Sequence, residues 1–159
     1  MTVAFADLLR ATRPQLDVFE AAVAQGLPTT LVLSHGTSTS IGDLDAGSFD
    51  EMPPASAIIW VHACDAGNDI AAALALQWAK SVVGFTRKVI HPLADTELDL
   101  FVSLLNGAVA KIGNQGAPVD LGSAKALLQE AGQQQIDTMA GILAGASLMQ
   151  AAYSMVVHQ

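Results

Sequence analysis

Thr29-Thr30-Leu31-Val32-Leu33-Ser34-His35-Gly36 and Ala57-Ile58-Ile59-Trp60-Val61-His62-Ala63-Cys64-Asp65-Ala66-Gly67 are the two stretches that decide the fold. Each opens with a continuous run of apolar and β-branched residues, too short for a long helix and lacking the alternation of a half-exposed strand. Such runs read as strands buried on both faces, which is how parallel sheets are built. Each run also ends in a residue with reactive chemistry, His35 in the first and Cys64 in the second, with glycine close behind.

Outward from the second strand, residues 65–69 form a turn in which Asn68 or Asp69 caps a helix over 70–80. Residues 81–86, Ser-Val-Val-Gly-Phe-Thr, are a third buried strand. Strand, helix, strand is the pattern of an α/β protein with a parallel sheet. Before the first strand, Phe5, Leu8, Leu9, Leu16, Phe19 and Val23 fall at helical spacing, so 4–25 is predicted helical, interrupted near Pro14 and stopped at Gly26-Leu27-Pro28. The polar, turn-rich stretch 37–54 admits a short helix over 44–52. Beyond Pro92 the pattern predicts helices over 95–111, 121–131 and 134–157. The expectation is one domain over 1–159: a short parallel-sheet core at 29–92, flanking helices, and a helical portion at 93–159 packed on it. Three strands make a thin sheet, so an edge is expected to be covered by helices or paired with another subunit.

Composition narrows the function classes. Hydrophobic residues make up 52% of the chain and charged residues 14%, which excludes disorder. A net charge of −8, with seven Lys and Arg in all, argues against nucleic acid and anionic membrane as partners. The single cysteine rules out an intrachain disulfide. No signal-peptide pattern opens the sequence, and the expected compartment is cytoplasmic. Residues 138–157 carry no charge, but Ser147, Gln150, Tyr153 and Ser154 dilute their apolarity. The run reads as a buried or oligomer-facing helix, with 136–157 a candidate surface for a second copy or a partner subunit, and not as a membrane span.

The chemistry sits at the strand ends. Open α/β sheets form their sites at the carboxyl ends of parallel strands. If the first two strands are neighbours, His35 and Cys64 emerge side by side although 29 positions apart. A thiolate is the nucleophile, and imidazole can take its proton or lower its pKa. Gly36 leaves a backbone N–H uncovered, and with the N–H of Cys64 it can form an oxyanion hole. Cys64 alone could be a small buried hydrophobe, His62 a hydrogen-bonded core histidine, and Asp43, Asp45, Asp50 and Glu51 a solvated face. No second cysteine or HxxxH spacing supports zinc, so no metal or other cofactor is expected.

Leu-Ser-His-Gly at one strand end and Val-His-Ala-Cys-Asp-Ala-Gly at the next resemble the clan of caspases, metacaspases, legumain, gingipain, separase and bacterial CHAT-type proteases. The likeness continues through the helix 70–80, the strand Ser81-Val82-Val83-Gly84-Phe85-Thr86, the helix 98–110 with Asn106-Gly107, and 120–131, so that roughly 29–131 can be matched by motif and order. The resemblance implies a caspase-like cysteine endopeptidase acting on a protein or peptide substrate. Cys64 would be the nucleophile, His35 the base, and the backbone of Gly36 and Cys64 the oxyanion hole. Ser34, His62, Asp65 and Thr86 are the substrate-pocket candidates. His62 stands where basic-specific members carry an acid. The early strands of that fold have no counterpart in this reading, which implies a pared sheet or one completed by another chain. The alternative is a non-catalytic caspase-like module for interaction or assembly.

Overall fold

The computed structural model describes residues 3–49, 54–92, 95–137 and 141–159. Its elements run β1 (Val3–Asp7), α1 (Gln15–Val23), β2 (Thr29–Leu33), β3 (Ser40–Ile41), β4 (Leu44–Asp45), β5 (Ile58–His62), α2 (Asp69–Trp78), β6 (Ser81–Phe85), α3 (Asp95–Gly113), α4 (Leu121–Asp137), α5 (Ile142–Ala152) and β7 (Met155–His158). The main sheet has the order β1-β2-β5-β6-β7. β1, β2, β5 and β6 are parallel to one another, and β7 runs antiparallel to β6. The molecule is therefore α/β with a mostly parallel sheet.

Every residue of β2, β5 and β6 is buried. Their side chains alternate between two cores, one on each face of the sheet. Val32, Ile59, Val61 and Val82 pack with Phe19 of α1 and with Ile70, Leu74 and Trp78 of α2. Leu31, Leu33, Trp60, Val83 and Phe85 pack with Phe101, Leu105 and Val109 of α3, Leu128 of α4 and Leu148 of α5. Burying each of these large side chains stabilises the fold by about 1.5–3 kcal/mol, which is why unbroken apolar runs fold as interior strands.

Several sequence expectations are corrected. The predicted helix over 4–25 begins as strand β1, which pairs along its length with β2, and only Gln15–Val23 is helical. The helical spacing of Phe5, Leu8 and Leu9 misled because the segment before Pro14 is too short to be a stable helix, whereas pairing with β2 satisfies its backbone. Ala4 and Ala6 then lie under α1, and Leu8 and Leu9 both donate their N–H to the Leu33 carbonyl, at 2.8 and 3.1 Å. The sheet thus has five strands, and its first strand comes from this chain.

The predicted helix over 134–157 divides. Gly141, in the left-handed region at φ +66°, precedes α5, and the last residues form β7. A continuous apolar run does not by itself distinguish a buried strand from a buried helix. Gly132 and Gly145 let α4 and α5 approach closely, since a Cβ on either would lie 2.6 Å from the other's carbonyl oxygen. The short helix expected over 44–52 is replaced by the β3–β4 hairpin and a 3₁₀ turn at Ala46–Phe49, with 50–52 outside the described residues. Asn68 stands at the N-cap position of α2, but its side chain makes no capping hydrogen bond. The Asn68 amide donates to the Asp65 and Thr86 carbonyls, and the Asp69 carboxylate accepts from Ser38 Oγ.

Gly84 of β6 lies against Gly67, where an added Cβ would sit 2.6 Å from the Gly67 Cα. Gly84→Ala is expected to lower the unfolding free energy by about 1–3 kcal/mol, measured by urea denaturation, because neither backbone can retreat from a paired position.

Candidate active site

The last register pair of β2 and β5 is Leu33 opposite His62. Two residues further on each strand, on the same face of the sheet, come His35 and Cys64. Both belong to the face covered by α3, α4 and α5, where Cys64 packs at the margin of the core. His35 is exposed and Cys64 half-buried. Gly36 is required by the meeting of the two strand ends, because a Cβ there would stand 2.8 Å from the Cys64 carbonyl oxygen and 2.9 Å from the Ala63 Cβ. Among the described residues, neither the Gly36 nor the Cys64 amide donates a loop hydrogen bond to another backbone group.

Beyond β6 the chain crosses over the cysteine as a strap, residues 86–92. The Val89 N–H donates to Cys64 Sγ at 3.3 Å, and the thiol lies 3.4 Å from the Val89 carbonyl, to which it donates. The strap is pinned from three sides. Asp65 N–H donates to the Arg87 carbonyl at 3.0 Å, Gln150 Nε2 to the Lys88 carbonyl at 2.9 Å, and Thr86 N–H to the Ser154 carbonyl at 2.9 Å. Asp65 itself occupies the left-handed region at φ +58°, a conformation that costs a non-glycine residue about 1–2 kcal/mol and turns the chain sharply away from Cys64. Its carbonyl is held by the Asn68 side chain at 3.0 Å.

Three histidines line this end of the sheet. The His35 and His91 ring centroids are 6.2 Å apart, edge to face, and those of His91 and His62 are 5.9 Å apart. His62 is fully buried between Phe85 and Phe101, with centroids at 4.6 and 5.4 Å. Trp60 Nε1 lies 3.3 Å from His62 Nδ1. An indole N–H only donates, so Nδ1 is unprotonated and the neutral ring carries its proton on Nε2, which is buried without a partner. Burial, with His91 adding to it, pushes His62 down from 6.5 to about 3. His91 is also held below the ordinary imidazole range, first by burial and then by His35, against the opposing pull of a hydrogen bond to the His62 backbone and of Asp7.

Comparison with protein-family models, with curated proteins and with solved structures found no match. The site therefore rests on its own geometry.

Of the residues singled out from sequence, the fold brings His35, Gly36, Cys64, His62, Asp65, Ser34 and Thr86 together at the carboxyl ends of β2, β5 and β6. Ser34 and His62 have no exposed surface, and the Thr86 hydroxyl donates to the Ser154 carbonyl at 3.4 Å. Sequence reading missed His91 and Val89, which lie on a segment without a motif, and Asp7, which lies in a segment read as helix and found as β1. Position after a buried strand was the only available signal, and it did not single them out. His158, also without a signal, bonds the Gly67 carbonyl through Nε2 at 2.7 Å, tying β7 to the turn after Cys64.

Two cavities, of about 610 and 590 Å³, lie elsewhere: one beside Phe19, Phe49 and Trp78, the other beside Ala57, Ser81 and Pro118. Both border the amino ends of strands and carry no nucleophile paired with a base. Among the described residues, no group of three His, Cys, Asp or Glu is arranged to hold a metal ion, and no helix is long and apolar enough to cross a membrane.

The buried neutral His62 makes stability depend on pH with a definite sign. Below pH 6.5 the unfolded chain takes up a proton that the folded chain refuses until about pH 3, so stability present above 6.5 is lost as the pH falls through that window. The slope from this one group is at most about 1.4 kcal/mol per pH unit. Urea denaturation between pH 7 and pH 4 is expected to show it, and His62→Gln, which keeps an acceptor for Trp60, is expected to flatten it.

Proposed function

We propose that this chain is a cysteine endopeptidase of the caspase-like kind, acting through Cys64 and His35 on a protein or peptide substrate. The observation that carries the reading is the β2–β5 register, which gives His35 and Cys64 equivalent positions at the carboxyl ends of neighbouring parallel strands. Further support comes from the Gly36 and Cys64 amides, which donate to no other backbone group among the described residues, and from the Val89 N–H, which donates to the sulfur. The strand order adds to the resemblance, since a parallel strand now precedes the histidine-bearing one.

In the proposed reaction His35 takes the thiol proton and Cys64 Sγ attacks the scissile carbonyl carbon, forming an S–C bond. The oxyanion is met by the N–H groups of Gly36 and Cys64. His35 returns the proton to the amine as the C–N bond breaks, and water then hydrolyses the thioester. The sulfur must first leave its contact with the Val89 carbonyl, so the strap moves or shifts its register when substrate enters. Asp65, which follows the cysteine, and Thr86, at the start of the strap, are the polar groups that a substrate side chain would meet.

Native Cys64 is expected to react with iodoacetamide at pH 7 faster than the same thiol in the urea-unfolded chain. Cys64→Ala and His35→Ala are each expected to lower peptide cleavage from a mixed peptide pool by about 10³-fold or more, read by mass spectrometry. A native thiol no faster than the unfolded one, together with no cleavage above the Cys64→Ala background, rejects the reading.

A second reading is favoured by one observation. α5 presents exposed apolar side chains, Ile142 at 49%, Leu143 at 44% and, just past its end, Tyr153 at 78%. On this reading the same scaffold serves as an interaction module that docks a second copy or a partner subunit through α5. Sedimentation that shows a monomer at all concentrations, unchanged by Leu143→Glu with Tyr153→Ser, removes the self-association form of it.

A further inference from the structure

A histidine base needs a third group to fix which of its nitrogens carries the proton. Among the described residues His35 receives no such bond: it is exposed, and the neighbour its ring meets is His91. The strap that lays Val89 on the Cys64 sulfur therefore also lays His91, two residues later, on the imidazole. One segment touches both members of the pair.

His91 Nε2 is buried and has no hydrogen-bond partner. The His62 backbone pulls the ring toward its protonated form, which favours a donor at the other nitrogen, Nδ1. A neutral imidazole with its proton on Nδ1 leaves Nε2 as a bare acceptor. His91 is held in place by Phe101, edge to face at 6.2 Å, and by His62. The result is a held ring with a desolvated, unpartnered nitrogen, packed against an imidazole that no other side chain among the described residues bonds.

We propose that His91 is the positioning residue of the site, its Nε2 accepting the N–H of His35 so that the other His35 nitrogen faces the Cys64 sulfur. This deepens, and rests on, the thiol–imidazole reading above. His91 moves no proton: the thiol proton passes to His35, and the existing N–H of His35 stays on His35 while bonded to His91. In the structure the two ring centroids stand about 1 Å further apart than a direct N–H···N bond requires, a gap that the exposed His35 closes by turning.

The groups facing His91 are consistent with a neutral acceptor. Burial and His35 at the end of β2 both disfavour a positive charge on His91, while the backbone of His62 on β5 favours it. Phe101 of α3 is apolar. Asp7 at the end of β1 also favours the charge, but its own charge is shared with Arg10, whose Nε bonds it at 2.6 Å while Nη1 bonds Asp99 of α3 at 2.8 Å.

Three measurements on the full chain test the assignment. In the wild type, ¹⁵N-resolved imidazole spectra at pH 7.5 are expected to show His91 as the Nδ1–H tautomer, and a proton on Nε2 overturns the proposal. His91→Phe keeps a ring against Phe101 and removes the acceptor. It is expected to slow Cys64 alkylation by iodoacetamide at pH 7 by roughly tenfold or more and to move the alkylation profile to higher pH. His91→Gln, which restores an acceptor, is expected to recover most of the loss. Equal rates in wild type and His91→Phe, or an equal loss in His91→Phe and His91→Gln, overturn the positioning role. His35→Ala separates the two levels. If it leaves alkylation unchanged, the thiol–imidazole reading falls and the role of His91 with it; if it slows alkylation while His91→Phe does not, the pair stands and only the role of His91 is rejected.

Discussion

The parallel pairing of β2 with β5 is the constraint on which the rest of the molecule depends. Both strands are buried along their whole length, so neither has a solvent face to trade, and a slip of one residue would exchange the occupants of two cores. The register that satisfies both cores sets Thr29 against Ile58 and Leu33 against His62. His35 and Cys64 follow from it, since each stands two residues beyond the last pair. The chemistry at the strand ends is therefore positioned by the least negotiable contact in the fold.

From that pairing the layers follow. The crossover from β5 to β6 carries α2 to the face of α1, where Phe19 and Trp78 stack at 5.8 Å, and α3, α4 and α5 close the other face. The face holding α3, α4 and α5 is also the one toward which His62 and Cys64 point. This explains why a histidine two residues before the cysteine is driven into an aromatic core, with Phe85 and Phe101 around it, while His35 on the next strand remains in water. The three imidazoles thus stand at three depths: His62 neutral and fully buried, His91 half-buried and His35 exposed.

Closure of the site is a tertiary event. The strap 86–92 carries no regular structure, yet its backbone is held by Asp65, by Gln150 of α5 and by Ser154 before β7, and its own Val89 holds the thiol. β7 completes the arrangement through His158 on the Gly67 carbonyl. The strap and the C-terminal strand thus converge on the turn after Cys64, and the Val89 that holds the thiol belongs to a strap pinned from as far away in sequence as Gln150.

By itself the sequence determined the α/β class, the three interior strands and the pair His35 and Cys64 at their ends. Those features are local: an unbroken apolar run can be buried only as an interior element, and the residue that ends it must emerge at the sheet's edge. β1 and β7 were illegible because their short apolar segments fit a helix as well as a strand, and only available partners, β2 for one and β6 for the other, chose between them. The split at Gly141 was illegible for the same reason, since a glycine tolerated inside a helix is also able to end one. His91 and Val89 lie in a segment with no period and no motif, and Asp7 in one whose helical spacing points to another structure. Only the tertiary structure brought them to the thiol and imidazole, because contacts across tens of residues are fixed by packing of whole layers and leave no mark in local spacing.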